Sequence, residues 1–217
     1  MRKTIALVVA SLVFTLSAHA QAFLDLVKTG TAAQVRAALQ AGANVEERGP
    51  SRETPLMLAA EDNSDPEVIS ALLEAGAKIE DQDDMGITPL DYGAGMNKSP
   101  EVILVLVQAG ANLEARDSLN GQTPLMAAAE YNTPEVVSVL LRAGAKIDGR
   151  DKFDMTALML AARDNTNPEV ITTLLKAGAN GKLRAKTQGN RTAFDFAKEY
   201  NAIKGTKQYQ DLFDAQF

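Results

Sequence analysis

The stretch NPEVITTLLKAGA at residues 167–179 recurs with small changes at 65–77 (DPEVISALLEAGA), 99–111 (SPEVILVLVQAGA) and 133–145 (TPEVVSVLLRAGA). Each copy reads as one helix. Asp65, Ser99, Thr133 and Asn167 stand directly before a proline, and their short polar side chains suit an N-cap that accepts from the free N–H groups of the first turn. Pro66, Pro100, Pro134 and Pro168 then take the first helical position, where a missing N–H costs nothing. Glu67, Glu101, Glu135 and Glu169 follow and put negative charge at the positive end of the helix dipole. Val68, Ile69, Leu72 and Leu73 give one apolar face, and the glycine of AGA supplies a left-handed stop after about three turns.

Those glycines, Gly42, Gly76, Gly110, Gly144 and Gly178, lie 34 residues apart along the chain. A second marker precedes each from the second unit on: TPL at Thr54, Thr88 and Thr123, TAL at Thr156 and TAF at Thr192, at intervals of 33 to 36. Two phased markers define a tandem array. The first helix of each unit starts at the marker and ends at Asn63, Asn97, Asn132 or Asn165, a residue type that tolerates a left-handed stop. Thr31 followed by Gln34 predicts a capping box for the second helix of the first unit. Polar stretches such as KIEDQDDMGI and NLEARDSLNGQ predict hairpin-like connections. No such unit buries its apolar face alone, whereas stacked neighbours bury it for one another. The expected fold class is therefore all-α, one elongated solenoid of helix-turn-helix units. The expected boundaries are an N-terminal cap unit at 21–49, repeats at 50–83, 84–117, 118–151 and 152–185, and a C-terminal cap unit at 186–217.

Residues 1–20, MRKTIALVVASLVFTLSAHA, have the basic start, short apolar core and small–x–small end of a secretory signal. The apolar run falls short of the roughly 20 residues of a membrane span. Cleavage is expected near Ala20–Gln21, giving a mature chain in the periplasm or outside the cell, with no membrane insertion. Loss of Arg2 and Lys3 changes 22 basic against 28 acidic residues to 20 against 28, and the formal charge from −6 to −8. The only histidine, His19, goes with the signal, and the chain has no cysteine. The mature chain thus lacks the commonest general base, the commonest metal ligand and the best nucleophile. Its acidity argues against a nucleic-acid partner and suits a partner with a basic surface.

From Phe23 to Phe217 the chain resembles the ankyrin-repeat family, more specifically its exported bacterial members. The shared pattern is Thr-Pro-Leu-His-x-Ala, then Glu-Val before two leucines, then Gly-Ala. The family's histidine is replaced by Met57, Met126 and Met159 in three units and by Asp91 and Asp195 in two. The resemblance implies that this histidine's bond to the preceding loop is replaced or lost. The glycine before the TPL marker is Arg52, Asp154 and Asn190 in three units, which puts the turn geometry there in question. Met57, Met126 and Met159 are expected to fill core space rather than to bind copper or sense oxidation.

The resemblance also implies a concave surface made of hairpin tips and the exposed side of each first helix, and a non-enzymatic role in binding another protein. Met85, Leu119 and Phe153, at 34-residue spacing in the hairpins, form an apolar series of the kind that marks a contact. Ser51 and Thr187 hold the matching positions at either end. Glu61 with Asp62, Gly95 with Met96, Glu130 with Tyr131, and Arg163 with Asp164 border the same groove. Met96 and Tyr131 are candidate anchors, and Glu61, Asp62 and Arg163 are candidate charged contacts. No catalytic residue, cofactor or metal is expected, and the chain is expected to act as a monomer. The alternative is an exported hydrolase of cell-wall or glycan material using acidic residues such as Glu61 and Glu130; it requires one carboxyl of a pair in an apolar pocket. The acidic run before Gly86 resembles a calcium loop only loosely, because Met85 interrupts the oxygen-ligand spacing. NKS at 97–99 and NRT at 190–192 match the glycosylation pattern.

Overall fold

A repeating set of local signals writes the backbone. In the computed structural model, which describes residues 21–199 and 203–217, helix α1 covers 21–29 and is followed by α2 (Ala32–Gln40). The next pairs are α3 (Pro55–Asp62) with α4 (Pro66–Glu74), α5 (Pro89–Met96) with α6 (Pro100–Gln108), and α7 (Pro124–Tyr131) with α8 (Pro134–Arg142). They continue with α9 (Ala157–Asp164) and α10 (Glu169–Lys176), then α11 (Ala193–Glu199) and α12 (Lys207–Ala215). The secretory-signal reading of residues 1–20 lies outside the described residues. No helix among the described residues is long and apolar enough to cross a membrane. The described chain is all-helical, with one isolated bridge between Ala185 and Arg191.

The second-helix stops follow the sequence. Gly76 has φ of +95°, its N–H donates to Leu73 O at 3.0 Å, and Ala77 N donates to Leu72 O at 3.0 Å. This 6→1 bond satisfies carbonyls that the helix end would otherwise leave unpaired. The Thr31–Gln34 capping box also forms, with Thr31 N to Gln34 Oε1 at 2.9 Å and Gln34 N to Thr31 Oγ1 at 3.4 Å.

The second-helix starts divide. Asp65 accepts from Glu67 N and Asn167 from Glu169 N, each at 3.0 Å. Ser99 instead donates to Glu101 Oε2 at 2.8 Å, and Thr133 makes no cap bond, its hydroxyl oxygen being buried with no partner among the described residues. Pro168 lies just before α10 rather than inside it.

The asparagines that end the first helices correct the sequence reading. Asn63, Asn97, Asn132 and Asn165 are extended, with φ between −73° and −115°, and all are buried. Their side chains explain why asparagine is needed. Asn97 Nδ2 donates to Ala60 O at 2.9 Å and to Asn63 O at 2.8 Å, while its Oδ1 accepts from Ser99 N at 2.9 Å. Asn132 repeats this toward Ala94 O and Asn97 O, both at 2.8 Å. Asn63 reaches Val27 O and Gly30 O, and Asn165 reaches Ala129 O and Asn132 O. The amides form a ladder that ties each unit to the one before it. Because Asn97 spends its amide here, NKS is a structural sequence rather than an exposed acceptor.

The first helices α3, α5, α7, α9 and α11 pack in one row and the second helices α2, α4, α6, α8, α10 and α12 in another. One apolar cluster runs between the rows from Phe23 to Leu212. Met57, Met126 and Met159 are fully buried in the core, as expected. Met57 does more, since its sulfur accepts from Thr54 N at 3.2 Å. Asp91 and Asp195 also close a capping box, Asp91 Oδ2 accepting from Thr88 N at 3.0 Å and Thr88 Oγ1 at 2.6 Å, and Asp195 from Thr192 N at 2.9 Å. In α7 and α9 only the threonine side accepts, so the reciprocal bond is absent there.

Candidate partner-binding surface

Each of the three central hairpins is held by its own carboxylate. Asp83 Oδ1 accepts from Met85 N at 2.8 Å and Ile87 N at 2.9 Å. Asp117 Oδ1 accepts from Leu119 N at 2.8 Å, and Asp151 Oδ1 from Phe153 N and Met155 N, each at 2.8 Å. These aspartates turn the chain so that the following apolar side chain stands at the tip. Sequence reasoning passed over them, although Asp83, Asp117 and Asp151 keep the same 34-residue phase as the tips.

The turn behind each tip is left-handed whatever residue occupies it. Gly86 and Gly121 have φ of +73° and +68°, and Arg52, Asp154 and Asn190 have φ of +66°, +63° and +60°. The geometry left in question by the sequence is thus kept, at a steric cost of roughly 1–2 kcal/mol for a residue with a Cβ. Successive hairpins are joined tip to tip, with Asp84 N donating to Ser51 O at 3.1 Å, Ser118 N to Met85 O at 2.7 Å and Lys152 N to Asn120 O at 2.8 Å. Further down, Glu46, Glu80 and Glu114 accept from the backbone N–H of Lys78, Asn112 and Lys146 in the next unit, at 2.8–3.1 Å. Much of the chain's acidity is therefore structural: periodic carboxylates serve as acceptors between units.

The hairpins are tied directly to the first helices. Tyr92 on α5 donates its hydroxyl to Asp83 Oδ2 at 2.8 Å, and Gln122 Nε2 donates to Glu130 Oε2 on α7 at 2.7 Å. Met85, Leu119 and Phe153 are 37, 59 and 45% exposed at the tips, and Met96 and Tyr131 are 59 and 56% exposed at the ends of α5 and α7. Asp62 is exposed and pairs with Lys28 at 3.2 Å. Glu61 is half-buried on α3. Arg163 on α9 is half-buried, lies 3.5 Å from Glu130 and pairs with Asp164.

Glu130 is the most enclosed carboxyl of this group. Burial raises its pKa, against the bonds it accepts from Tyr131 Oη and Gln122. Glu61 is also raised, by burial first and then by Asp62. The charges felt by Glu61 come from Asp62, Lys28 and Glu53, and those felt by Glu130 from Asp164 and Arg163. The structure thus brings no working pair out of these two acids, which sit on helices two units apart. No group of three or more candidate metal ligands occurs among the described residues.

A family model for ankyrin repeats matches residues 23–117 and 94–187. The chain is an ankyrin-repeat protein. Among curated proteins, none matches it. Ankyrin repeats generally serve as protein–protein interaction modules and are typically non-enzymatic, and their architecture accounts for the two helix rows and the linked hairpins described above.

Proposed function

We propose that this ankyrin-repeat protein is an exported, monomeric interaction module that works in the periplasm or outside the cell. It docks a protein partner in the groove between the hairpin tips and the first helices. One observation carries the reading. Of the eight large apolar side chains exposed among the described residues, five (Met85, Leu119, Phe153, Met96 and Tyr131) are on the hairpin tips and first-helix ends. Large apolar side chains gathered on one functional side of a scaffold mark a contact surface better than the same residues scattered singly. Glu61, Asp62 and Arg163 supply charged contacts around them. The acidic balance favours a partner with a basic surface, and the basic signal at residues 1–20 supports export.

The test replaces Met85, Leu119 and Phe153 together by serine in the mature chain. Partner capture should fall at least tenfold, while thermal stability stays within about 1 kcal/mol because exposed side chains contribute little to folding. Undiminished capture with unchanged stability would remove the tips from the site.

A further inference from the structure

The chain contains two asparagine–glycine steps, Asn120–Gly121 and Asn180–Gly181. Such a step is chemically labile, because a glycine without a Cβ lets its backbone nitrogen reach the preceding side-chain amide. The attack is intramolecular, so its rate depends on how freely the two groups can meet. The fold places the two steps in opposite settings.

Asn120 lies at a hairpin tip, next to the exposed Leu119. Its backbone is fixed on both sides, the N–H donating to Asp117 Oδ1 at 2.6 Å and the carbonyl accepting from Lys152 N at 2.8 Å. Arg116 holds the Gly121 carbonyl at 2.6 Å. The groups left over are the reacting ones: neither the Asn120 side-chain amide nor the Gly121 N–H makes a hydrogen bond among the described residues. Gly121 is buried, but its nearest cover is Lys152, whose Cγ lies 2.9 Å from where a Cβ would stand. Lys152 is itself exposed, and a long exposed side chain moves aside readily.

Asn180 is engaged instead. Its Oδ1 accepts from Lys182 N and its N–H donates to Asp148 Oδ1, each at 3.0 Å. Gly181 is wedged against α12, where a Cβ would come 2.6 Å from Ala215 Cβ and 2.7 Å from Ala215 O. Ring closure there must break a side-chain bond and move backbone packed on a helix. The ladder asparagines, each bonded through its side chain, precede residues larger than glycine.

We infer that Asn120 is a deamidation site of the folded protein, whereas Asn180 is protected. Gly121 N gives its proton to solvent and bonds to Asn120 Cγ. The Cγ–Nδ2 bond breaks, and Nδ2 takes up a proton and leaves as ammonia. Water then opens the cyclic imide at either carbonyl. Opening at Cγ leaves aspartate, and opening at the backbone carbonyl leaves isoaspartate, with the chain running through Cγ. The sum is one water consumed, one ammonia released and a new carboxylate beside Leu119. Isoaspartate also removes the carbonyl that accepts from Lys152 N, which loosens the link to the next hairpin. The reaction needs no partner; under the docking reading it alters the contact at Leu119 irreversibly as the protein ages.

The test incubates the mature chain in mildly alkaline buffer, folded or in urea, and digests it briefly with trypsin in mildly acidic buffer. Trypsin separates the two sites, into peptides 117–142 and 177–182. In the folded chain, peptide 117–142 should gain about 1 Da roughly tenfold faster than peptide 177–182, and an isoaspartate-specific methyltransferase should label it. In urea the two rates should agree within about twofold, because the sequence signal is then the same. Asn120→Gln should abolish the gain in peptide 117–142, since the larger ring closes far more slowly. Equal rates in the folded chain, a faster Asn180, or a folded peptide 117–142 that stays unmodified while the unfolded one reacts would overturn the inference. A gain that survives Asn120→Gln would also overturn it, by moving the reaction to another amide of that peptide.

Discussion

Replacing Asn97 by alanine tests what the asparagine ladder does. Asn97 is 5% exposed and its side chain makes three hydrogen bonds, to Ala60 O, to Asn63 O and from Ser99 N. Alanine removes all three and leaves two carbonyls and one N–H without their partner. At about 1 kcal/mol net for each bond, the loss is about 3 kcal/mol, and more if the groups stay dry. That is a large part of the total stability of a domain, roughly 5–15 kcal/mol. Two of the bonds cross to the preceding unit, so the loss falls on the interface between stacked units rather than within one helix. Urea unfolding followed by circular dichroism should show a lower midpoint. The transition should also broaden, because the units on either side become less coupled. Hydrogen exchange should show lost protection at the junction of α3 and α5. A destabilisation below about 1 kcal/mol with an unchanged slope would refute the ladder as the link between units.

Asp91 should give the protein a pH-dependent stability. Burial raises its pKa to about 6 from an ordinary 3.8, against the bonds from Thr88. A carboxyl with a raised folded pKa favours the folded state when protonated, so stability should rise as pH falls from about 6 toward 4. Asp91→Asn should flatten that rise and stabilise the chain at pH 7 by about 1–3 kcal/mol, as read by urea midpoints across pH; an unaltered pH profile would contradict it. Arg52→Gly should stabilise by about 0.5–1 kcal/mol, since relief of the left-handed strain exceeds the entropy glycine adds to the unfolded chain; a loss of stability in the same assay would oppose this. Thr133→Val should raise the unfolding free energy by about 1 kcal/mol, seen as a higher urea midpoint, because it removes a buried hydroxyl that has no partner among the described residues and forfeits no cap bond; a lowered midpoint would show that the hydroxyl is satisfied in solution.

The second helices were legible because each signal acts within a few residues: proline at the start, apolar face, glycine at the stop. The asparagines were not, because their partners lie 33 to 38 residues away in the preceding unit. Spacing showed that Asn63 and its equivalents recur, but a side chain that bonds across units looks in one dimension like a residue chosen for its own backbone. The same holds for Asp83, Asp117 and Asp151, whose phase was readable and whose work at the hairpin base was not. Spacing placed Met85, Leu119 and Phe153 in the hairpins but not their exposure, because a tip packed on its neighbour keeps the same phase as a free one.

In the proposed function the hairpin and first-helix side, and not the second-helix row, meets the partner. A photo-crosslinking amino acid placed at Leu119 and, separately, at Leu104 compares the two faces in the cell. Both positions are exposed, at 59% and 43%, so accessibility does not decide the outcome. A discrete adduct from Leu119 that is absent from Leu104 is the expected result. An adduct from Leu104 alone, or equal adducts from both, would contradict the claim.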